Sequence, residues 1–106
     1  MPNEDISGET LAIIGTPDLV LGFRALGFHV YPVNNKEETE VALADSVQKG
    51  CAVCLVEEEF YGLSSERIGS FRELPLPVFI PLSSEDKSAV LEGMVRDIRL
   101  RATGKF

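Results

Sequence analysis

LAIIGTPDLVLGFRALG, residues 11–27, places a short apolar run, a glycine, a helix start and a second glycine in succession. Leu11, Ala12, Ile13 and Ile14 read as a strand buried on both faces, as in a parallel sheet. Gly15 allows a sharp turn at the strand's end. Thr16 can cap the helix that follows, and Pro17 and Asp18 suit its first turn. Gly27 can close that helix in a left-handed conformation. The stretch is the first half of a βαβ unit, and it holds no evident chemistry.

The same pattern repeats downstream. Residues 28–33, FHVYPV, form a second strand. Pro32 cannot donate a ladder hydrogen bond, so this strand lies at a sheet edge or ends at about Tyr31. Asn35 caps a helix from about Lys36 to Lys49, with Glu38 placed as in a capping box, and Gly50 stops it. Residues 51–56, CAVCLV, are continuously apolar and read as a central strand. Glu57, Glu58 and Glu59 then suit a helix start, a solvated acidic run. The third helix, within residues 60–71, is interrupted by Gly62, Ser64 and Ser65. Leu74-Pro75-Leu76-Pro77 is a stiff connector into a strand over Val78, Phe79 and Ile80, ended by Pro81. Ser83 or Ser84 caps a last helix, about residues 84–103. Leu91, Met94, Val95, Ile98 and Ala102 recur in it at helical spacing.

Strand and helix alternate four times. That predicts one α/β domain over residues 11–104: a flavodoxin-like or receiver-like parallel four-stranded sheet of order 2-1-3-4 with flanking helices. Residues 1–10 are polar and acidic and read as a mobile N-terminal arm, unlike a signal peptide. No apolar run approaches the roughly 20 residues that span a bilayer, so direct membrane insertion is not expected.

The 106 residues carry 17 acidic and 10 basic side chains, a net charge of −7. Such a balance argues against nucleic acid as a partner. The bases cluster at the end. From Arg96 onward, Arg96, Arg99, Arg101 and Lys105 stand against Asp97 alone, a local +3 on a body of −10. Compensation of a helix dipole needs only one or two such bases, so the basic end is also a candidate contact for an acidic partner surface.

No catalytic constellation is found, and no cofactor or metal is expected. A dinucleotide fingerprint needs a second glycine where Pro17 stands, and Asp18 would repel phosphate. A phospho-acceptor site needs an Asp where the third strand ends in Glu57, and a Lys where the fourth is followed by Pro81 and Leu82. Cys51 and Cys54 form a C-x-x-C, but in a strand side chains three apart point to opposite faces. They read as small buried hydrophobes of a reducing compartment. His29 is the only histidine and has no nucleophile or acid placed with it, so a structural role is expected.

Residues 13–27 resemble the opening of the F subunits of V-type/A-type rotary ATPases, whose pattern is an apolar strand followed by G-D-x-D-x-V-x-G-F-R-L-x-G. Gly15, Asp18, Val20, Gly22, Phe23, Arg24 and Gly27 match it. Thr16 replaces the first Asp and Leu26 is displaced by one. Leu55-Val56-Glu57-Glu58 is similar to the family's I-T-E-x segment, and residues 77–83, PVFIPLS, to its P-x-x-x-x-I-P-S strand. The resemblance spans about Leu11 to Lys105. It implies a non-catalytic component of the central stalk that stabilises the rotor and modulates coupling of ATP hydrolysis or synthesis to ion transport. The implied partners are the coiled-coil D subunit of the central stalk, the A and B head subunits and the adaptor to the membrane ring. The implied location is cytoplasmic and peripheral to the membrane. The partner contact is placed at Phe23 and Arg24 of the first helix and, from the basic charge of the end, at Arg96, Arg99 and Arg101 of the last; the alternative for Phe23 is core packing, and the stripe of Leu91, Met94 and Ile98 can equally cover the sheet. The alternative is a stand-alone flavodoxin-like or receiver-like domain that binds a small molecule or a protein.

Overall fold

A computed structural model describes residues 10–83, 85, 86, 89, 92 and 93. The expected arm, apart from residue 10, and most of the expected last helix, including Arg96, Arg99 and Arg101, lie outside the described residues. The described chain runs β1 (Leu11–Gly15), α1 (Pro17–Arg24), β2 (His29–Pro32), α2 (Lys36–Lys49), β3 (Val53–Glu57), α3 (Glu58–Leu63), α4 (Ser65–Ser70) and β4 (Val78–Leu82). All strand pairs are parallel and the order is β2-β1-β3-β4, as the sequence predicts. Among the described residues no helix is long and apolar enough to cross a membrane.

Alternation along the strands sorts the apolar side chains into two cores. Ala12, Ile14, Cys54 and Val56 face α2, α3 and α4, where Ala42, Leu43, Phe60 and Ile68 meet them. Ile13 faces the other way and packs with Leu19, Val20 and Phe23 of α1. Burial of each large side chain is worth roughly 1.5–3 kcal/mol, so the two clusters hold the sheet from both sides.

The glycines and caps fall where the sequence puts them. Asn35 Oδ1 accepts from the Glu38 N–H at 2.8 Å, and Glu38 Oε1 accepts from the Asn34 N–H at 2.8 Å. Gly50 ends α2 at φ 73° and Gly27 follows α1 at φ 88°, both in the region that disfavours a Cβ. The segment after β3 breaks in two at Ser64. Ser83 Oγ accepts from the Asp86 N–H at 3.1 Å, the capping expected after β4.

Three local expectations are corrected. Thr16 occupies the N-cap position of α1, but its side chain makes no cap hydrogen bond. β4 continues through Pro81 to Leu82, which an edge strand tolerates because half of its N–H groups face away from the sheet. β3 begins at Val53 rather than Cys51, because the chain bends at Ala52.

Among the described residues, no helix covers the β3–β4 half of one face of the sheet. α1 packs over β1 and β2, while on the same side the register aligns Leu11 with Val53 and Val78, and Ile13 with Leu55 and Ile80. Leu11, Val78 and Ile80 are 41 %, 51 % and 42 % exposed. Both sheet edges carry proline: Pro32 closes β2, and Pro81 lies within β4.

Candidate functional site

In open parallel sheets ligands bind beyond the carboxyl ends of the strands, where neighbouring connections leave in opposite directions. Here that place lies between β1 and β3. Glu57 closes β3 there and is 7 % exposed. Its side chain reaches across to β1, and Oε1 accepts from the Thr16 N–H at 2.9 Å. Gly15 makes the approach possible. A Cβ on it would lie 2.9 Å from Glu57 Oε1 and 3.0 Å from Leu19 Cδ2. The carboxylate therefore sits at the amino end of α1, where the helix dipole favours negative charge.

This arrangement has a chemical consequence. The position where a bound phosphate would take backbone N–H bonds is filled by the chain's own anion. Pro17 brings no N–H to it. Glu57 corrects the reading of 57–59 as a wholly solvated run: Glu58 and Glu59 are exposed, Glu57 is not. Strand alternation was the available signal, since Glu57 shares a face with Val53 and Leu55 and points where Gly15 leaves room.

The remaining candidates are structural in their placement. Cys51 and Cys54 are free, fully buried and in the same core cluster, not on opposite faces, because the bend at Ala52 returns Cys51 to the α2 side. Burial pushes both thiols up, Cys54 to about 12, which removes the thiolate that redox or metal chemistry requires. His29 stacks edge-on against Tyr31, centroids 4.8 Å apart. Burial, with a smaller effect of Lys49, lowers its pKa against an upward pull from Asp45. Tyr31 donates to Asp45 Oδ2 at 2.7 Å. Among the described residues no group of three or more His, Cys, Asp or Glu is placed to hold a metal ion.

The two expected contact residues of α1 separate. Phe23 is fully buried and packs edge-on against Phe28, centroids 5.1 Å apart. Helical phase turns it inward with Leu19 and Val20, so its side chain is core, and the expectation of a surface contact at Phe23 is corrected. Arg24 is exposed in the last turn of α1, and Leu21 on its outer side is 57 % exposed. The described surface thus offers partly exposed apolar side chains on β1 and β4 and a cation on α1, beside a ligand edge that is already filled.

Residues 11–99 match the family described as ATP synthase (F/14-kDa) subunit. The chain is 32 % identical over 74 residues to the V-type ATP synthase F subunit of Clostridium perfringens (strain 13 / Type A), a match covering 70 % of each. The crystal structure of the V-type ATP synthase F subunit from Archaeoglobus fulgidus aligns with a TM-score of 0.55 at 24 % identity. That alignment covers 69 % of this chain and 95 % of the other and reports a likeness of fold.

Proposed function

The chain belongs to the family of ATP synthase (F/14-kDa) subunits, and from that premise we propose that it is a non-catalytic component of the central stalk of a rotary ATPase. In this role it stabilises the rotor and modulates the coupling of ATP hydrolysis or synthesis to ion transport. Its partners are the coiled-coil stalk subunit, the A and B head subunits and the adaptor to the membrane ring. Its place is on the cytoplasmic side, peripheral to the membrane.

The observation that supports this reading best is the partly exposed apolar face that no described helix covers. Leu11, Val78 and Ile80 present apolar side chains in register on two of the three strands concerned. Contiguous exposed apolar surface is characteristic of protein-binding faces. A stand-alone small-molecule binder is less well supported, because Glu57 fills the edge where a ligand would sit. Arg24, and outside the described residues Arg96, Arg99 and Arg101, remain the proposed charged contacts.

The test is co-elution on size-exclusion chromatography with the coiled-coil stalk protein of the same organism. A stoichiometric complex is expected. Ile80→Glu should abolish it while leaving the urea midpoint of the isolated chain nearly unchanged, since position 80 is already partly in water. Absence of a complex at low salt and micromolar concentration would overturn the reading.

A further inference from the structure

Val41 is the most exposed large hydrophobic residue described, at 71 %. It stands on α2, on the opposite face of the sheet from α1, and the buried side of that helix is Thr39, Ala42, Leu43 and Ser46. A single exposed valine needs no explanation. This one separates two open hollows. Towards β2 the hollow is lined by Tyr31, Pro32, Val33 and Ala42, with Glu38 and Asp45 at its rim. Towards α4 it is lined by Glu37, Glu40, Ala44 and Gln48, with Arg67 on the far wall.

The charges around this ridge are unequal. Asp45 is engaged by the Tyr31 hydroxyl and lies 3.8 Å from Lys49. Glu38 serves the cap at Asn34. Arg67 lies over the Phe71 ring, 5.6 Å from its centroid. Glu37 and Glu40 have no ion-pair partner among the described residues. Glu37, Val41, Ala44 and Gln48 recur at helical spacing and form one outward ridge, small and apolar at its centre and polar at its ends. A ridge of that kind fits the groove of a crossing helix, and an apolar centre within a charged rim is the usual anatomy of a protein interface. The two carboxylates select the sign of what lies opposite.

We propose that the ridge of α2 centred on Val41 docks a basic amphipathic helix of a neighbouring protein in the assembly, with apolar side chains in the hollows beside Val41 and Lys or Arg against Glu37 and Glu40. This rests on the chain being a component of the rotary complex. It adds a second contact face on the side of the sheet away from Ile80, so that the domain is held between two partner elements.

The experiment uses Val41→Cys in the assembled complex. Cys51 and Cys54 are fully buried, so within this chain a maleimide reads position 41 alone, with the complex of the unsubstituted chain as control. The labelling rate should fall at least about tenfold between the free chain and the complex, the protection expected when an interface core excludes water. A photoactivatable maleimide at the same position should cross-link to a helical peptide rich in Lys and Arg. Glu37→Gln with Glu40→Gln should weaken assembly and flatten its dependence on salt. Incorporation into the complex with position 41 labelled at the free rate overturns this proposal alone. So does a cross-link to a segment without basic residues. Failure of the chain to enter any complex overturns the rotary-complex reading, and this proposal with it.

Discussion

The carboxylate of Glu57, at the end of one strand, accepts a hydrogen bond from the backbone N–H of Thr16, just past the end of its neighbour, at 2.9 Å. The bond joins β3 to the start of α1 across a glycine that has no side chain to obstruct it. It answers two needs together. A backbone donor at a helix start gains an acceptor that the Thr16 side chain does not supply. A largely buried carboxylate gains a donor and a favourable dipole.

Gly15 and Glu57 should therefore be energetically coupled. Gly15→Ala is predicted to cost about 1–3 kcal/mol through overpacking against Glu57 and Leu19. Glu57→Ala should cost a similar amount, about 1–3 kcal/mol, by leaving the Thr16 N–H without its acceptor. The double variant should be more stable than the sum of the two by about 1 kcal/mol, because the shortened side chain at position 57 vacates the space that the new methyl group needs. Urea unfolding of the four proteins measures this. Strict additivity would show that the contact carries no strain relief.

The capping arrangement at α2 gives a second prediction. Asn35→Ala removes the acceptor of the Glu38 N–H and should cost about 1 kcal/mol of stability, while Asn35→Asp should cost little. Thermal unfolding of both variants checks the difference. Equal losses would mean that the side-chain bond does not contribute.

Stability should fall at both ends of the pH range, for reasons that differ in sign. Burial lowers the folded pKa of His29 below its ordinary 6.5, with help from Lys49 and opposition from Asp45. The unfolded chain then binds the proton more readily, so stability present above 6.5 is lost as the pH falls through the lower folded value. Cys54 is pushed up by burial from 9.0 to about 12, and Cys51 and Tyr31 are raised as well. Their unfolded forms release protons first, so stability declines as the pH rises from about 9 towards 12. Urea midpoints across pH 5–11 should pass through a plateau near neutrality. Followed by NMR, the single histidine should titrate below its ordinary value. A normal titration would remove the acid limb of the argument.

Much of the fold was legible because the elements announce their own ends. Asn35 with Glu38, and Gly50 after Lys49, bound α2 by local chemistry, and the alternation of apolar runs with capped helices dictates the parallel order. The departures arise where a distant residue decides. Glu57 looks like the first of three wet acids until β1 is laid beside β3, when Gly15 leaves a space that a carboxylate can enter. Cys51 looks like part of a strand until the bend at Ala52 turns it back into the cluster that holds Cys54. Phe23 fits a family pattern as a contact, but the phase set by Leu19 and Val20 turns it inward. Arg24 keeps its place on the surface, where its residue type alone would have put it.

The prolines at the two margins of the sheet bear on the life of the chain before it meets any partner. An open parallel sheet has two outer strands that invite pairing with another molecule. Pro32 and Pro81, both exposed, each remove a donor from the row that a docking strand would use. A newly made copy can therefore wait in a crowded compartment with apolar side chains on display and still not template a growing fibre. Its stickiness is confined to faces, which close when one partner arrives, and kept from edges, which would propagate without limit.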